Sequence, residues 1–274
     1  MNLRKVLVTT QYRRPKYSQR FFEALAQCYG IEDYTLLISC DYNEQYAADC
    51  DTVIGMSREF KACETQVHIN NPRLGIDVNK LFIIPKAYEM TDYMIFLEDD
   101  TIPSKDALRY FEWAAVRFAR EPRIISVCGY NRYTEIATHN QVLQSQPYEV
   151  HMGGGFCPWG WAMWKDRYER KMGDGSAYAE RWGEEVNGRF DWWFYHGMDA
   201  ALKEGSIYPV LPRVQSIGGE NAEHTPSPEW HQENEYNPYG AWSQDMPDPA
   251  FDVWRFIDTL AGEIPERSKP VDWV

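Results

Sequence analysis

Residues Tyr93-Met94-Ile95-Phe96-Leu97-Glu98-Asp99-Asp100-Thr101-Ile102-Pro103-Ser104 form an apolar run that stops at three consecutive acids. Four or five apolar residues bounded by turn formers read as a fully buried strand. In open α/β sheets, ligands sit outside the carboxyl ends of such strands. Three carboxylates gathered there need a cation. Oxygen ligands of this hardness suit Mg²⁺ or Mn²⁺, held by one or two carboxylates together with substrate phosphates. The competing reading makes Asp99, Asp100 and Ser104 caps of the next helix, which accounts for one acid or two but not three.

The chain ahead of this strand has a βαβ pattern. Lys5 to Thr10 reads as a buried strand, Gln11 to Pro15 as a loop, and Phe21, Phe22, Leu25 and Cys28 recur at helical spacing before Gly30, a left-handed stop. A second buried strand spans Tyr34 to Ser39 and delivers Asp41 to its carboxyl end, beside the first loop if the crossover is right-handed. Asp41 is open to two readings, a ligand contact or the N-cap of a helix through Tyr46 and Ala47. Signals weaken from Asp51 to Asn71. Val78, Leu81, Phe82 and Ile84 then suggest a helix that Pro85 must kink or break. Beyond the acids, Ser104 as N-cap and Asp106 in the first turn start a helix carrying Leu108, Phe111, Ala115 and Phe118, and Ile124 to Cys128 returns as a strand.

Composition narrows the partners. With 274 residues the chain can bury a large core as one domain or one and a half. Its 28 basic and 41 acidic residues give a net charge of −13, and no Lys/Arg cluster stands out, so nucleic acid is not an expected partner. The 11 Trp and 18 Tyr offer flat rings for stacking sugars, or simply core. Cys28, Cys40, Cys50, Cys63, Cys128 and Cys157 lack metal-ligand spacing and read as buried free thiols. No charged-then-apolar leader precedes Val6 and no run approaches eighteen apolar residues, so neither a secretory signal nor a membrane span is expected, and a reducing cytoplasm is the simplest location.

Arg14-Pro15 after the first strand, Asp41 with Glu44 after the second, and Phe96-Leu97-Glu98-Asp99-Asp100 resemble the nucleotide-sugar half of GT-A-fold glycosyltransferases. The likeness is to the N-acetylglucosaminyltransferase I type and to related bacterial polysaccharide glycosyltransferases. Two later segments, Pro158 to Arg167 and Ile217 to Thr225, resemble bacterial members and extend the match over about Val6 to Thr225. The resemblance implies an α/β fold with a mixed, mostly parallel sheet covered by helices on both faces. It implies a GT-A domain over 1–230, with a nucleotide-sugar half at 1–128 and an acceptor half at 129–230, and a tail over 231–274 that wraps the core. The implied activity is metal-dependent hexosyl or N-acetylhexosaminyl transfer from a nucleotide-sugar donor to a glycan or glycolipid acceptor.

Carried onto these positions, the resemblance makes Asp100, the last acid of a DXD-type motif, the metal ligand. Asp99 and Glu98 then contact ribose or a metal-bound water, Asp41 and Arg14 recognise the base and its surroundings, and Thr10 also belongs to the nucleotide-sugar site. The base implied by similarity is uracil, although no spacing separates uridine from guanosine or thymidine donors. His224 lies in a Gly-rich loop. It is either exposed or a late ligand of the metal or diphosphate, with Glu220 and Glu223 as competitors, and an imidazole favours Mn²⁺ over Mg²⁺. An inverting transfer needs a carboxylate to take the acceptor hydroxyl's proton. Asp191, just ahead of a helix ending near Gly205, is that base or a helix cap, and Glu184 and Glu185 are the alternatives.

Gly153-Gly154-Gly155 marks either a close approach to a sugar or a bulge. Of Trp159, Trp161 and Trp164, at least one is core and another flanks the acceptor. Phe251 to Ile257 reads as a short amphipathic helix. Two other functions remain open. A sugar-phosphate nucleotidyltransferase would share the sheet and metal, but it should carry a Gly-rich basic loop where this chain has Thr9-Thr10-Gln11-Tyr12. An aromatic-rich carbohydrate-binding protein would use the acids for a structural Ca²⁺.

Overall fold

The computed structural model describes residues 3–131, 147–173, 175–178, 190–219, 227–234, 236, 240–241 and 245–257. Strands run at Val6–Gln11 (β1), Thr35–Asp41 (β2), Glu64–Asn70 (β3), Tyr93–Phe96 (β4), Thr101–Pro103 (β5), Ile124–Cys128 (β6), Glu149–Gly153 (β7), Trp161–Trp164 (β8), Gly205–Pro209 (β9), Val214–Ser216 (β10) and Arg255–Phe256 (β11). Nine of them make one sheet in the order β11-β7-β9-β6-β8-β4-β1-β2-β3, while β5 and β10 pair separately. Five pairings in the large sheet are parallel and three antiparallel, the mixed, mostly parallel arrangement expected. Because β4, β1, β2 and β3 are mutually parallel, all four carboxyl ends meet at one edge.

The central strands β1, β2, β4, β6 and β8 are largely apolar because both faces are covered. On one side Leu7, Leu36, Ile38, Ile95 and Val127 pack under Pro15–Leu25 (α1) and Ala107–Arg117 (α4) through Phe21, Phe22, Leu25, Leu108 and Phe111. The alternate strand residues Val6, Val8, Leu37, Met94, Phe96 and Met163 face Ile76–Tyr88 (α3), Lys165–Met172 (α5) and Phe190–His196 (α6). Each fully buried Phe or Leu here contributes about 1.5–3 kcal/mol. Strand period and helix period therefore meet in one two-sided core.

Several local expectations are corrected. The weak stretch after Asp51 contains most of the helix Ala47–Glu59 (α2) and the whole of β3. β3 is one of the sheet's two edge strands, with Glu64, Gln66 and Ile69 exposed, and leaves no apolar run to read. α3 continues through Pro85, whose carbonyl accepts from Glu89 N at 3.1 Å and closes the last turn. Its buried side is mixed: Asp77, Asn79 and Lys80 are buried along with Ile83, Ile84, Ala87 and Tyr88, whereas Phe82 is exposed. Asp106 is the N-cap residue of α4 rather than part of its first turn, and its carboxylate accepts from Ser104 Oγ at 2.7 Å and from fully buried Arg213 Nε at 2.9 Å.

Gly30 has a left-handed φ of 77°, but it lies beyond the end of α1, where it opens a short turn at Ile31–Asp33. The amphipathic helix expected at 251–257 is instead a short turn followed by β11, with Trp254 buried against Tyr110, Trp113 and Tyr148. Trp161 and Trp164 are core, and Trp159 is only partly buried, edge-on to Tyr130. Gly155, at φ 145°, lets the backbone pass close to the Tyr195 ring. None of the six cysteines is in a disulfide, and five are buried. Among the described residues no helix is long and apolar enough to cross a membrane.

Candidate functional site

The acid row begins where β4 leaves the sheet. Leu97 N still donates to Val8 O at 3.0 Å, after which Thr101 turns the chain by donating its amide and hydroxyl to Glu98 O, at 3.2 and 2.8 Å. The β5–β10 ribbon then fixes the far side, with Ile217 N donating to Asp100 O at 2.8 Å. This brings Gly218 against the Asp100 carboxylate so closely that any Cβ would collide with it. Glycine leaves the Asp100 carboxylate where it is, whereas a side chain there would displace it.

Two cations organise the acids, Arg14 half-buried and Lys80 fully buried. Arg14, flanking the start of α1, donates Nε and Nη2 to the two oxygens of Asp99, with Nε at 3.3 Å, and Nη1 lies 2.9 Å from Asp100 Oδ2. Burial works against its charge, and the Asp99 and Asp100 carboxylates more than restore it. Lys80 is fully buried and bridges Glu98 Oε1 at 2.9 Å and Asp191 Oδ1 at 3.2 Å. Burial likewise opposes the Lys80 charge, and Asp191, Glu98 and Asp77 raise its pKa on balance. Glu98 is pushed up to about 7 by burial, against Lys80 and with Asp100 and Asp191 adding to the rise. Asp99 rises to about 6 from burial, opposed by Arg14.

Asp191 lies in the first turn of α6, a helix that ends at His196 rather than near Gly205. The capping work belongs to another residue: Asp77 Oδ2 accepts from Phe190 N at 2.9 Å and from Tyr178 OH at 2.9 Å. Asp77 and Lys80, three apart, share one face of α3, so the first holds the start of α6 and the second holds the carboxylate of the next residue. Sequence reasoning missed Lys80. The available signal was a pair of charged residues at helical spacing inside an otherwise apolar helix.

Thr10 and Asp41 lie at the same carboxyl edge, Thr10 in register with Ser39. Asp41 is not a cap, because Asn43 accepts from Gln45 N at 2.9 Å and starts the turn before α2. Its carboxylate instead accepts from Gly75 N at 2.9 Å, Leu74 N at 3.3 Å and Asn70 Nδ2 at 3.1 Å. Burial raises its pKa against those bonds. Beside it, planar groups alternate: Arg73 lies 4.4 Å from the Tyr12 ring, and Arg13 lies 5.4 Å from Tyr12 and 4.2 Å from Tyr46. Such a stack of guanidinium and phenol planes is a surface to which a flat heterocycle can add. Arg14 belongs to the acid row rather than to this end.

His224, Glu220, Glu223, Glu184 and Glu185 lie outside the described residues. A different histidine approaches the acids. His231, in Pro228–Asn234 (α7), lies with Nε2 3.2 Å from Ser216 Oγ and with its ring against Gly219. Burial lowers its pKa while Asp100 works the other way, so the two side chains feel one another. Among the described residues no group of three or more His, Cys, Asp or Glu is arranged to enclose a metal ion.

No family model matches the sequence, and no curated protein matches it. The crystal structure of GalNAc-T7 with UDP, GalNAc and Mn²⁺ is similar to this chain at a TM-score of 0.51 and 11% identity, over 78% of this chain and 44% of that one. Mouse xyloside xylosyltransferase 1 in its apo form is similar at 0.44 and 12%, over 74% and 84%. The mannosyltransferase PcManGT from Pyrobaculum calidifontis, in complex with GDP-Man and Mn²⁺, is similar at 0.43 and 12%, over 62% and 47%. The chain thus spans less than half the length of two of these three structures. These similar solved structures are GT-A-type glycosyltransferases. The fold of the present chain is that of the GT-A class, a mixed, mostly parallel sheet between layers of helices.

Proposed function

We propose that this chain is a glycosyltransferase that moves a sugar from a nucleoside-diphosphate donor, a UDP-sugar, to a hydroxyl of a glycan or glycolipid, with inversion and with the help of a divalent cation. The observation that carries the reading is the row Glu98-Asp99-Asp100 at the carboxyl edge of a central strand, linked by one buried lysine to Asp191 on a separate helix. That edge is where α/β sheets bind ligands. The GalNAc-T7 structure named above contains UDP, GalNAc and Mn²⁺, which agrees with the choice of ligands.

The donor set suits a hard cation, because Asp99 and Asp100 offer carboxylate oxygens. Asp100 would hold the ion, with phosphate and water oxygens completing its coordination. Bound there, a Mn²⁺ or Mg²⁺ ion supplies Lewis-acid neutralisation of the diphosphate's charge. The Tyr12, Arg13, Tyr46 and Arg73 planes accept the base, and Asp41 holds the 70–75 turn beside them. Asp191 accepts the acceptor hydroxyl's proton as that oxygen bonds to the anomeric carbon and the bond to the diphosphate oxygen breaks. Lys80 fixes the direction of the Asp191 carboxylate.

Calorimetric titration of UDP, with Mn²⁺ and again with EDTA, on wild type and on Asp100→Ala tests this reading. Binding that needs both the metal and Asp100 is the expected result. If UDP, GDP, CDP and dTDP all fail to bind under the same conditions, the donor site does not exist as described.

A further inference from the structure

The place of a cation beside Asp100 is taken by one of the chain's own groups. Arg14 spends Nε and Nη2 on Asp99 and Nη1 on Asp100, which is the charge neutralisation a divalent ion would otherwise provide. Arg14 and a metal ion cannot both serve Asp100 unless an anion is added between them, since two cations at contact distance repel. The other cation of the site cannot give way, because Lys80 is fully buried on Glu98 and Asp191. Arg14 can. Its side chain is 20% exposed and follows the short loop after β1. A nucleoside diphosphate brings the missing anion, and phosphate oxygens match a guanidinium fork as well as carboxylates do.

Resting on the donor-site reading above, we propose that Arg14 is the diphosphate-binding residue, and that it exchanges Asp99 and Asp100 for the diphosphate as the donor enters. Metal and nucleotide then bind cooperatively, each raising the other's affinity by the same factor. Asp100 becomes available to the ion only when the diphosphate has claimed Arg14.

The test is Mn²⁺ binding followed by the electron paramagnetic resonance of the free ion, with and without UDP. It uses wild type, Arg14→Gln, Arg14→Lys and, as a control on the site, Asp100→Asn. Removing the internal competitor should tighten Mn²⁺ binding in the absence of UDP by tenfold or more in Arg14→Gln, and should shrink the gain produced by UDP by a similar factor. Lysine is a point charge that cannot span both carboxylates as the fork does, so Arg14→Lys should fall between the two. Should the Gln variant fail to fold, the Lys variant carries the test through its reduced coupling factor. Unchanged Mn²⁺ affinity without UDP, or a coupling factor equal to that of wild type, overturns the proposal. If Asp100→Asn abolishes joint binding while the Arg14 variants behave as wild type, the Arg14 role alone falls. If Asp100→Asn leaves joint binding intact, the donor-site reading falls with it.

Discussion

Lys80 and Arg14 each bridge two acids of the same site, yet they are built for different work. Lys80 rises from the middle of α3 with no exposed surface, and its partners come from the end of β4 and from α6. Arg14 stands at the mouth, beside a loop, with part of its side chain in solvent and two adjacent acids as partners. The Lys80 bridge joins separate elements and is a fixture, because an ammonium with no exposed surface cannot be left without its acids. An open bridge to neighbouring residues can exchange partners at modest cost. The floor of the site is therefore fixed before any ligand arrives, while its mouth is held by a group that a ligand can displace.

The strongest way to break this contrast is Lys80→Met. It strands Glu98 and Asp191 without their cation and should destabilise the fold by about 3–5 kcal/mol, measured by denaturant unfolding. A loss below about 1 kcal/mol would mean that the floor is not fixed by this bridge.

Asp191→Asn probes the same bridge from the other end. It should lower turnover by about 10²–10⁴-fold while leaving UDP–Mn²⁺ binding unchanged. The readout is nucleotide release from whichever of UDP-N-acetylglucosamine, UDP-galactose, UDP-glucose and GDP-mannose the wild type uses.

The pH dependence of stability sharpens the comparison further. Burial, with Asp100 and Asp191, raises Glu98 to about 7 despite Lys80, above its ordinary value of 4.5. The folded protein thus holds this proton more tightly than the unfolded chain. The penalty for ionising Glu98 is absent below pH 4.5 and complete above pH 7. Glu98→Gln should accordingly gain on wild type by on the order of 2 kcal/mol between those limits. His151 acts in the opposite sense, since burial pushes it down to about 4, but it is common to both proteins and cancels in the difference.

The smallest effect is expected at the mouth. Gly218→Ala must move the Asp100 carboxylate and should weaken UDP–Mn²⁺ binding about tenfold, about 1.4 kcal/mol, with little change in thermal unfolding. Equal affinity in the variant would mean that Asp100 has room to spare.

What could be read from the residues was what is local. The runs at Val6, Thr35 and Tyr93 are buried on both faces and so are apolar in a row, and the acids follow the last of them directly. The partners of those acids were not legible. Lys80 and Asp191 are 111 residues apart and Arg14 and Asp99 are 85 apart, so only the tertiary fold brings them together. The start of α3 misled for the same reason, since buried Asp77 and Lys80 answer to partners on other elements, while Ile83, Ile84, Ala87 and Tyr88 face the core. β3 stayed hidden because an edge strand need not be apolar, and β11 because a two-residue strand has no period.

The most direct measurement is a crystal structure of the protein with UDP and Mn²⁺. Expected is a metal ion against Asp100 and both phosphates, the Arg14 guanidinium moved onto the diphosphate, and Lys80 still on Glu98 and Asp191. Nucleotide bound away from the carboxyl edge of β1 and β4, or Arg14 still bridging Asp99 and Asp100 beneath a bound donor, would contradict a fixed floor and an exchangeable mouth.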